Sequence, residues 1–343
     1  MDENLKNTRK GEVRFLRGLI YFYLVQIWGD VPLVVEETTD AMSFIGQTQA
    51  PKDQVYAQIL EDLSQAATLL PDVQTGVNEG RATKGAANAL LARVSLVRKD
   101  YPKVIEYANK VINSGLYDLD ANYASIFNYS GASKEVIFKI VFKNGTNSEG
   151  FPNQNVNHDY NNTASRDFMT TFATDPRLAA NVTESGIKTY YSNKLHNLGV
   201  GSDNTLNIRI VVLRYADVLL MKAEALNETS FPSAEALTLF NRVRTRFPAN
   251  QAIAASAFSS KDQWLDLLLK ERRIEFAFEN LRWFDLVRTG KAKEVMTAKS
   301  GGGNNPNAAS ALPYSFQDRD LLFPVPQVQI DASGGSLKQN PGY

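Results

Sequence analysis

Residues 81–119, RATKGAANALLARVSLVRKDYPKVIEYANKVINSGLYDL, read as two helices joined by a short turn. In the first, Ala87, Leu90, Leu91 and Val94 share one face, and Thr83 stands where an N-cap is needed. In the second, Val104, Ile105, Ala108, Val111 and Ile112 recur at helical spacing. Pro102 falls in its first turn and Gly115 just past its end, the usual asymmetry of helix termini. Ala86, Ala87 and Ala89 let a neighbouring helix come close. The same pattern returns downstream, where Ala236, Leu237, Phe240 and Val243 match Val104, Ile105, Ala108 and Val111 in type and spacing. Each copy follows a helix rich in alanine and leucine and starts near an aromatic–proline step, Tyr101-Pro102 and Phe231-Pro232. A unit of roughly 34 residues built this way is the tetratricopeptide pattern, here without its signature tryptophan.

Working outward, Val13, Leu16, Ile20, Tyr23, Leu24 and Ile27 mark a helix before this pair, as do Val55, Ile59, Leu63, Ala66 and Leu70, which Pro71 ends. Further helices are expected over Leu213 to Asn227, Ser233 to Arg246, Asp262 to Phe278 and Arg282 to Thr289. That makes about eight, most paired by short turns into stacked hairpins. Between them, Lys143 to Asn207 is rich in asparagine, glycine, serine and threonine, and one strand is expected over Glu135 to Phe142. A stretch this long without structure is unusual inside a compact domain, which points to a functional role. Ser300 to Asn307 reads as a flexible loop. The expected fold is mainly α: tetratricopeptide-like hairpins supporting an irregular, loop-rich lobe with little β. The chain is expected to form one domain over 1–343, with scaffold over about 12–118 and 209–291 and lobe over about 119–208 and 292–343.

Lysine plus arginine number 37 and aspartate plus glutamate 37, so there is no basic excess to hold a nucleic-acid backbone. The absence of cysteine removes disulfides, thiol nucleophiles and thiolate metal sites. The apolar run from Leu19 to Trp28 is too short to span a bilayer.

Four segments resemble the SusD/RagB family of outer-membrane nutrient-binding proteins. They are EVRFLRGLIYFYLVQIWGDVPL at 12–33, the hairpin at 81–119, LRYADVLLMKAEALNE at 213–228, and ERRIEFAFENLRWFDLVRTGK at 271–291 with LLFPVPQVQID at 321–331 and a terminal QNPGY. Their order and spacing fit from near the first residue to the last. The resemblance implies surface lipoproteins that bind oligosaccharides and pass them to a TonB-dependent, SusC-like transporter. It also implies a lipid-anchored start and several tens of residues before RFLRG, where only residues 1–13 stand here; the chain is expected to be an N-terminally shortened form lacking that anchor.

The residues themselves present weak catalytic signals. Glu271, Glu275 and Glu279 lie four apart on one helix, as a metal site or acid/base pair would require, but Arg272, Arg273 and Arg282 lie close enough along the helix to neutralise them. Asp118, Asp120 and Asn122 alternate like the start of a calcium loop, yet Tyr123 stands where the glycine is needed and Tyr129 where the closing glutamate is needed. His158 and His196 are isolated, and Gly301-Gly302-Gly303 lacks the lysine of a phosphate cradle. No cofactor, metal or catalytic residue is expected. Sugar capture needs aromatic faces for pyranose C–H groups and amides for hydroxyls. The irregular lobe offers Phe151, Asn153, Asn155, His158, Tyr160, Tyr190 and Tyr191, and Phe44 stands in another loop. The same side chains also serve a purely structural reading in which they pin loops to helices, as Trp28, Trp264 and Trp283 are expected to do within the scaffold. The leading expectation is therefore a non-enzymatic glycan-binding protein. The alternative is a helical-repeat scaffold for a protein or peptide, and a glycosidase ranks last because no carboxylate spacing favours it.

Overall fold

The computed structural model describes residues 2–40, 46–127, 133–141, 151–152, 164–184, 190–192, 194, 205–206, 209–298 and 315–343. Its first helix, α1 (Glu3–Trp28), packs on α2 (Lys52–Leu69). Gly18 makes that approach close: a Cβ there would stand 2.9 Å from Leu63. Asp62, buried on the facing side of α2, accepts from Arg14 (2.8 Å) and Arg17 (2.7 Å) of α1. Next come α3 (Lys84–Val97) and α4 (Tyr101–Ile112). The Thr83 hydroxyl accepts from the Ala86 amide at 3.2 Å, the N-cap expected from its position.

The chain then leaves the scaffold through β1 (Val136–Val141), β2 (Phe151–Pro152), α5 (Arg166–Thr171), α6 (Arg177–Asn181), β3 (Val182–Glu184), β4 (Tyr190–Ser192), β5 (Thr205–Leu206) and β6 (Arg209–Arg214). These strands form three separate antiparallel ladders, β1 with β6, β2 with β5 and β3 with β4. The scaffold resumes with α7 (Tyr215–Thr229), α8 (Ala234–Arg244), α9 (Lys261–Glu275) and α10 (Arg282–Arg288), then the short α11 (Ala292–Ala298) and α12 (Gln327–Ala332). In space, α2 packs on α3, α3 on α4, α4 on α7, and α7 on both α8 and α9, so one run of stacked helices crosses the long excursion.

Composition explains the order of the stack. Every residue of α3 from Ala86 to Leu96 is buried, and α7 is buried along most of its length. Helices apolar around their whole circumference belong in the middle of a layer. Phe15, Ile59, Leu63, Leu90, Leu219 and Phe240 meet in this core, each fully or almost fully buried. Each such side chain contributes about 1.5–3 kcal/mol. The C-terminal stretch returns to the end of α1, where Phe323 N donates to Ile27 O (2.8 Å) and Asn340 Nδ2 to Trp28 O (3.1 Å).

The mainly α architecture matches the sequence reading, with three differences. Leu213 and Arg214 extend β6 rather than opening the next helix, because β1 supplies a ladder partner. The stretch from Lys143 to Asn207 holds short strands and two short helices among its described residues, so it is less irregular than expected. Finally, superposing Val104 on Ala236 sets Pro102 opposite Ala234, not Pro232. Pro102 lies inside α4, whereas Pro232 precedes the Ser233 cap of α8, so the two proline steps are not equivalent.

Candidate functional site

Phe44, Asn153, Asn155, His158 and Tyr160 lie outside the described residues. Phe151 stands on β2 opposite Leu206, and Tyr190 and Tyr191 stand on β4 opposite Glu184 and Thr183. These backbone positions belong to two ladders that the scaffold must hold in place. How it does so is visible at the C-terminal half of α9.

Along α9, Trp264, Leu268, Glu271 and Glu275 follow one another at four- and three-residue steps, so both carboxylates lie on the buried face. Glu275 accepts from Arg214 Nη1 at 2.7 Å and Arg177 Nη1 at 3.2 Å, and also pairs with Arg246. Glu271 pairs with Arg177 and accepts from Arg244 Nη1 at 2.9 Å. Just beyond the helix, Glu279 takes Lys194 Nζ at 2.6 Å and Arg214 Nε at 2.8 Å. Glu135, at the foot of β1, bridges Arg214 (2.6 Å) and Arg246 (2.5 Å). Asp175 completes the set on Arg177 at 2.8 Å. Neutral contacts seal it: Tyr123 Oη donates to the Glu275 carbonyl at 2.6 Å, and Asn181 Nδ2 to Ile274 O at 3.0 Å. Elements at the foot of the lobe thus converge on one buried socket.

A second network lies deeper in the scaffold. Asp217 of α7 takes Arg93 Nη2 of α3 and Arg272 Nη1 of α9, both at 2.7 Å. Arg272 Nε continues to Asp285 at 2.8 Å, and Arg288 joins Asp285 to Glu224. Burying ions is costly unless each is paired and hydrogen-bonded, and here every acid meets a base. Burial by itself would raise the carboxyls, yet Arg246, Arg214 and Arg177 hold Glu275 well below the usual range, and Arg93 and Arg272 do the same to Asp217. Burial pushes Lys194 down to about 8, although Glu279 opposes it. Its ammonium also lies 4.8 Å from the Phe127 ring centroid and 5.2 Å from that of Tyr123.

The partners of the three glutamates correct the sequence reading. Arg272 serves Asp217 and Asp285, Arg273 pairs with Asp167, and Arg282 donates to the Leu269 carbonyl at 3.3 Å. The neutralising charges come from Arg177, Lys194, Arg214, Arg244 and Arg246, none of them close in sequence. One signal for the socket was present: a glutamate continuing the Trp264 and Leu268 face must be buried, and a buried carboxylate requires a cation.

Chemically this is a clamp. Arg246, Arg214 and Arg177 keep Glu275 ionised and a poor proton acceptor, which argues against a role as general acid or base. A cleft of about 200 Å³ opens beside Glu271, bounded also by Phe172, Arg177, Arg244 and Lys270. Among the described residues no cluster of three potential metal ligands occurs, and no helix is long and apolar enough to cross a membrane. Trp264 is buried against Phe240 and Phe258, and Trp28 Nε1 donates to the Pro324 carbonyl at 3.3 Å. Trp283 packs on Phe316.

Residues 140–343 match the SusD family, and residues 1–96 match a family described as starch-binding and associating with the outer membrane. SusD-like protein P2 of Formosa agariphila is 28% identical, an alignment covering 100% of this chain and 75% of that protein. A SusD superfamily protein from Parabacteroides distasonis shares the fold with a TM-score of 0.80 at 24% identity, over 100% of this chain and 80% of that one. Surface glycan-binding protein A of Bacteroides thetaiotaomicron, solved with laminarihexaose, gives 0.79 at 22% identity, over 99% of this chain and 79% of its own. With a scaffold of stacked hairpins, a lobe clamped onto α9 and the family match over more than half its length, the chain belongs to the SusD family.

Proposed function

We propose that this protein captures glycans at the cell surface without breaking a bond and delivers them to a SusC-like, TonB-dependent transporter. The observation that carries the reading is the family match, over residues 1–96 and 140–343. The structural likeness to a glycan-binding protein holding laminarihexaose supports it. In this reading the chain is a single unit, with scaffold over about 12–118 and 209–291 and lobe over about 119–208 and 292–343. Phe151, Tyr190 and Tyr191 contact the sugar together with Phe44, Asn153, Asn155, His158 and Tyr160. Ring faces take the C–H surfaces, and the amides and imidazole bond hydroxyls. The clamp at Glu275 fixes Glu135, Arg177 and Lys194 at the foot of the lobe before the sugar arrives, which lowers the entropic cost of binding. Anchoring at the outer membrane through a lipid completes the role.

A second reading, binding of a protein partner, is favoured by one observation. Val13, Leu16 and Ile20 are 65%, 46% and 56% exposed on one side of α1, the first helix of the stack. Apolar side chains grouped on an exposed helix face mark interaction surfaces. A transporter contact there is compatible with sugar capture elsewhere.

Native affinity electrophoresis through gels containing a panel of plant and host polysaccharides tests the main reading, with released reducing ends assayed in parallel. Retardation by one polysaccharide, with no reducing ends released, is the expected result. Release of sugar would replace capture by hydrolysis. Indifference to every polysaccharide, combined with co-purification with a co-expressed SusC-like transporter, would shift the function to the protein-binding reading.

A further inference from the structure

A groove of about 470 Å³ lies away from the α9 clamp, between the loop joining α2 to α3, the turn after α4, and β1. Its size falls in the range typical of small-molecule sites, roughly 300–1,000 Å³. Three features of its wall define what it can hold. The first is apolar surface. Val73 and Leu116 are 55% and 40% exposed at its lips, and Phe138 lies behind them, fixed by an edge-on contact with Phe15 at 4.8 Å.

The second is a placed aromatic. Tyr117 lies over the first turn of α3, because residue 85 is glycine: a Cβ there would fall 2.3 Å from the Tyr117 hydroxyl. That hydroxyl also meets Thr83 Oγ1 at 3.2 Å, so ring and hydroxyl are held by two independent constraints. Gln74, Thr75 and Ser133 add polar groups along the same wall.

The third is charge balance. Lys139 pairs with Glu79 at 2.9 Å, Arg81 with Glu12 at 2.7 Å, and Lys84 with Asp72 at 3.0 Å. An anionic or cationic ligand would meet charges that are already partly neutralised by a partner. A neutral ligand has no need of them.

From this combination we infer that the groove is a second saccharide-binding site, one that takes a short segment of a neutral oligosaccharide. Apolar C–H faces lie against Val73, Leu116 and the Tyr117 ring, while hydroxyls exchange hydrogen bonds with Gln74, Thr75 and Ser133. The inference rests on the glycan-capture reading but uses none of the residues proposed above to contact the sugar. Two sites on one molecule would let a long chain be held at two points, which raises avidity without strengthening either contact.

The test uses the whole chain with laminarihexaose, maltohexaose and cellohexaose at millimolar concentration, and an oligogalacturonate as the acidic comparison. Amide hydrogen exchange is followed over 73–80 and 133–139, and affinity is measured for wild type, Leu116→Arg and Val73→Arg. Both substitutions are at exposed positions, and thermal midpoints check that each variant folds. One neutral hexasaccharide should slow exchange in both segments, and each variant should weaken its binding about tenfold at unchanged midpoint. If a hexasaccharide binds with no protection of 73–80 and equal affinity in all three proteins, the groove is not a saccharide site, and the lobe reading survives. Preference of these segments for the oligogalacturonate would overturn the neutral ligand class. Failure of the wild type to bind any hexasaccharide or any polysaccharide in the gels would remove both readings together.

Discussion

The α3–α7 core and the clamp on α9 are both buried, yet they are built from opposite materials. Around α3 and α7 the contacts are largely Ala, Leu, Val and Phe, which gain from any close apolar neighbour. Around Glu275 they are carboxylates and guanidiniums, which gain only from correct partners in correct geometry. The hydrophobic scaffold can therefore tolerate changes of shape that the clamp cannot. The clamp in turn offers specificity: only a lobe that brings Glu135, Arg177 and Lys194 to Arg214 and the α9 glutamates can dock there. A generic core next to a selective socket is a workable design for a scaffold that must hold a lobe in one place.

The sharpest way to break this comparison is Arg214→Ala, which leaves Glu135, Glu275 and Glu279 short of a shared cation. Stability should fall by ~3–5 kcal/mol, read from urea unfolding. A loss below about 1 kcal/mol would mean that the clamp is dispensable. Leu90→Ala in the scaffold should cost ~2–5 kcal/mol through transfer and cavity terms. Unlike the clamp change, its cost should be the same at pH 7 and pH 4. Acid itself provides a third test. Asp217, Asp285 and Glu275 titrate below their ordinary range in the folded protein, Arg272 and Arg288 holding Asp285 there against its burial. Their stabilisation is complete above the unfolded carboxylate pKa, about 4, and is lost as pH falls further. The thermal midpoint should drop steeply there, and a flat profile to pH 3 would contradict the pairing.

Lys194 should respond in the alkaline range. Burial lowers it from 10.5 to about 8, so between these values the unfolded chain holds the extra proton. Its contribution to stability therefore grows as pH rises from 8 to 10.5, by up to about 1.4 kcal/mol per pH unit. Subtracting the profile of Lys194→Met from that of wild type isolates the effect, and a difference of the opposite slope would refute the assignment. The smallest change is expected at the N-terminus of α3, where Thr83→Ala should cost about 1 kcal/mol through the lost N-cap. It should also loosen Tyr117, which meets the same hydroxyl.

How far the sequence could be read followed the range of the interactions. Thr83 as a cap, Pro102 in the first turn of α4 and the buried alanines of α3 are all local, and each was legible. Glu271 and Glu275 were legible as a pair on one face of α9, but Glu279 falls past the end of that helix, and the partners of all three were not legible. Arginines close in sequence suffice on the sequence reading, whereas Arg272 turns instead to Asp217 and Asp285. β6 escaped notice because its apolar residues run directly into those of α7, and only its pairing with β1 marks the boundary. The residues proposed to contact sugar rest on composition and location alone, and the ladders place Phe151, Tyr190 and Tyr191 on strands.

Helical periodicity, capping and the family motifs, all carried by residues a few positions apart, determined the class of fold and the hairpins without reference to any contact. Tertiary structure alone decided which charges meet. Arg214 and Glu279 are 65 residues apart in the chain and 2.8 Å apart in space. The same holds for the groove beside Tyr117, whose wall draws on a loop, a turn and a strand from separate parts of the chain. Local spacing dictates a helix because its hydrogen bonds and faces repeat every few residues, whereas a clamp or groove exists only after distant segments have been brought together and desolvated.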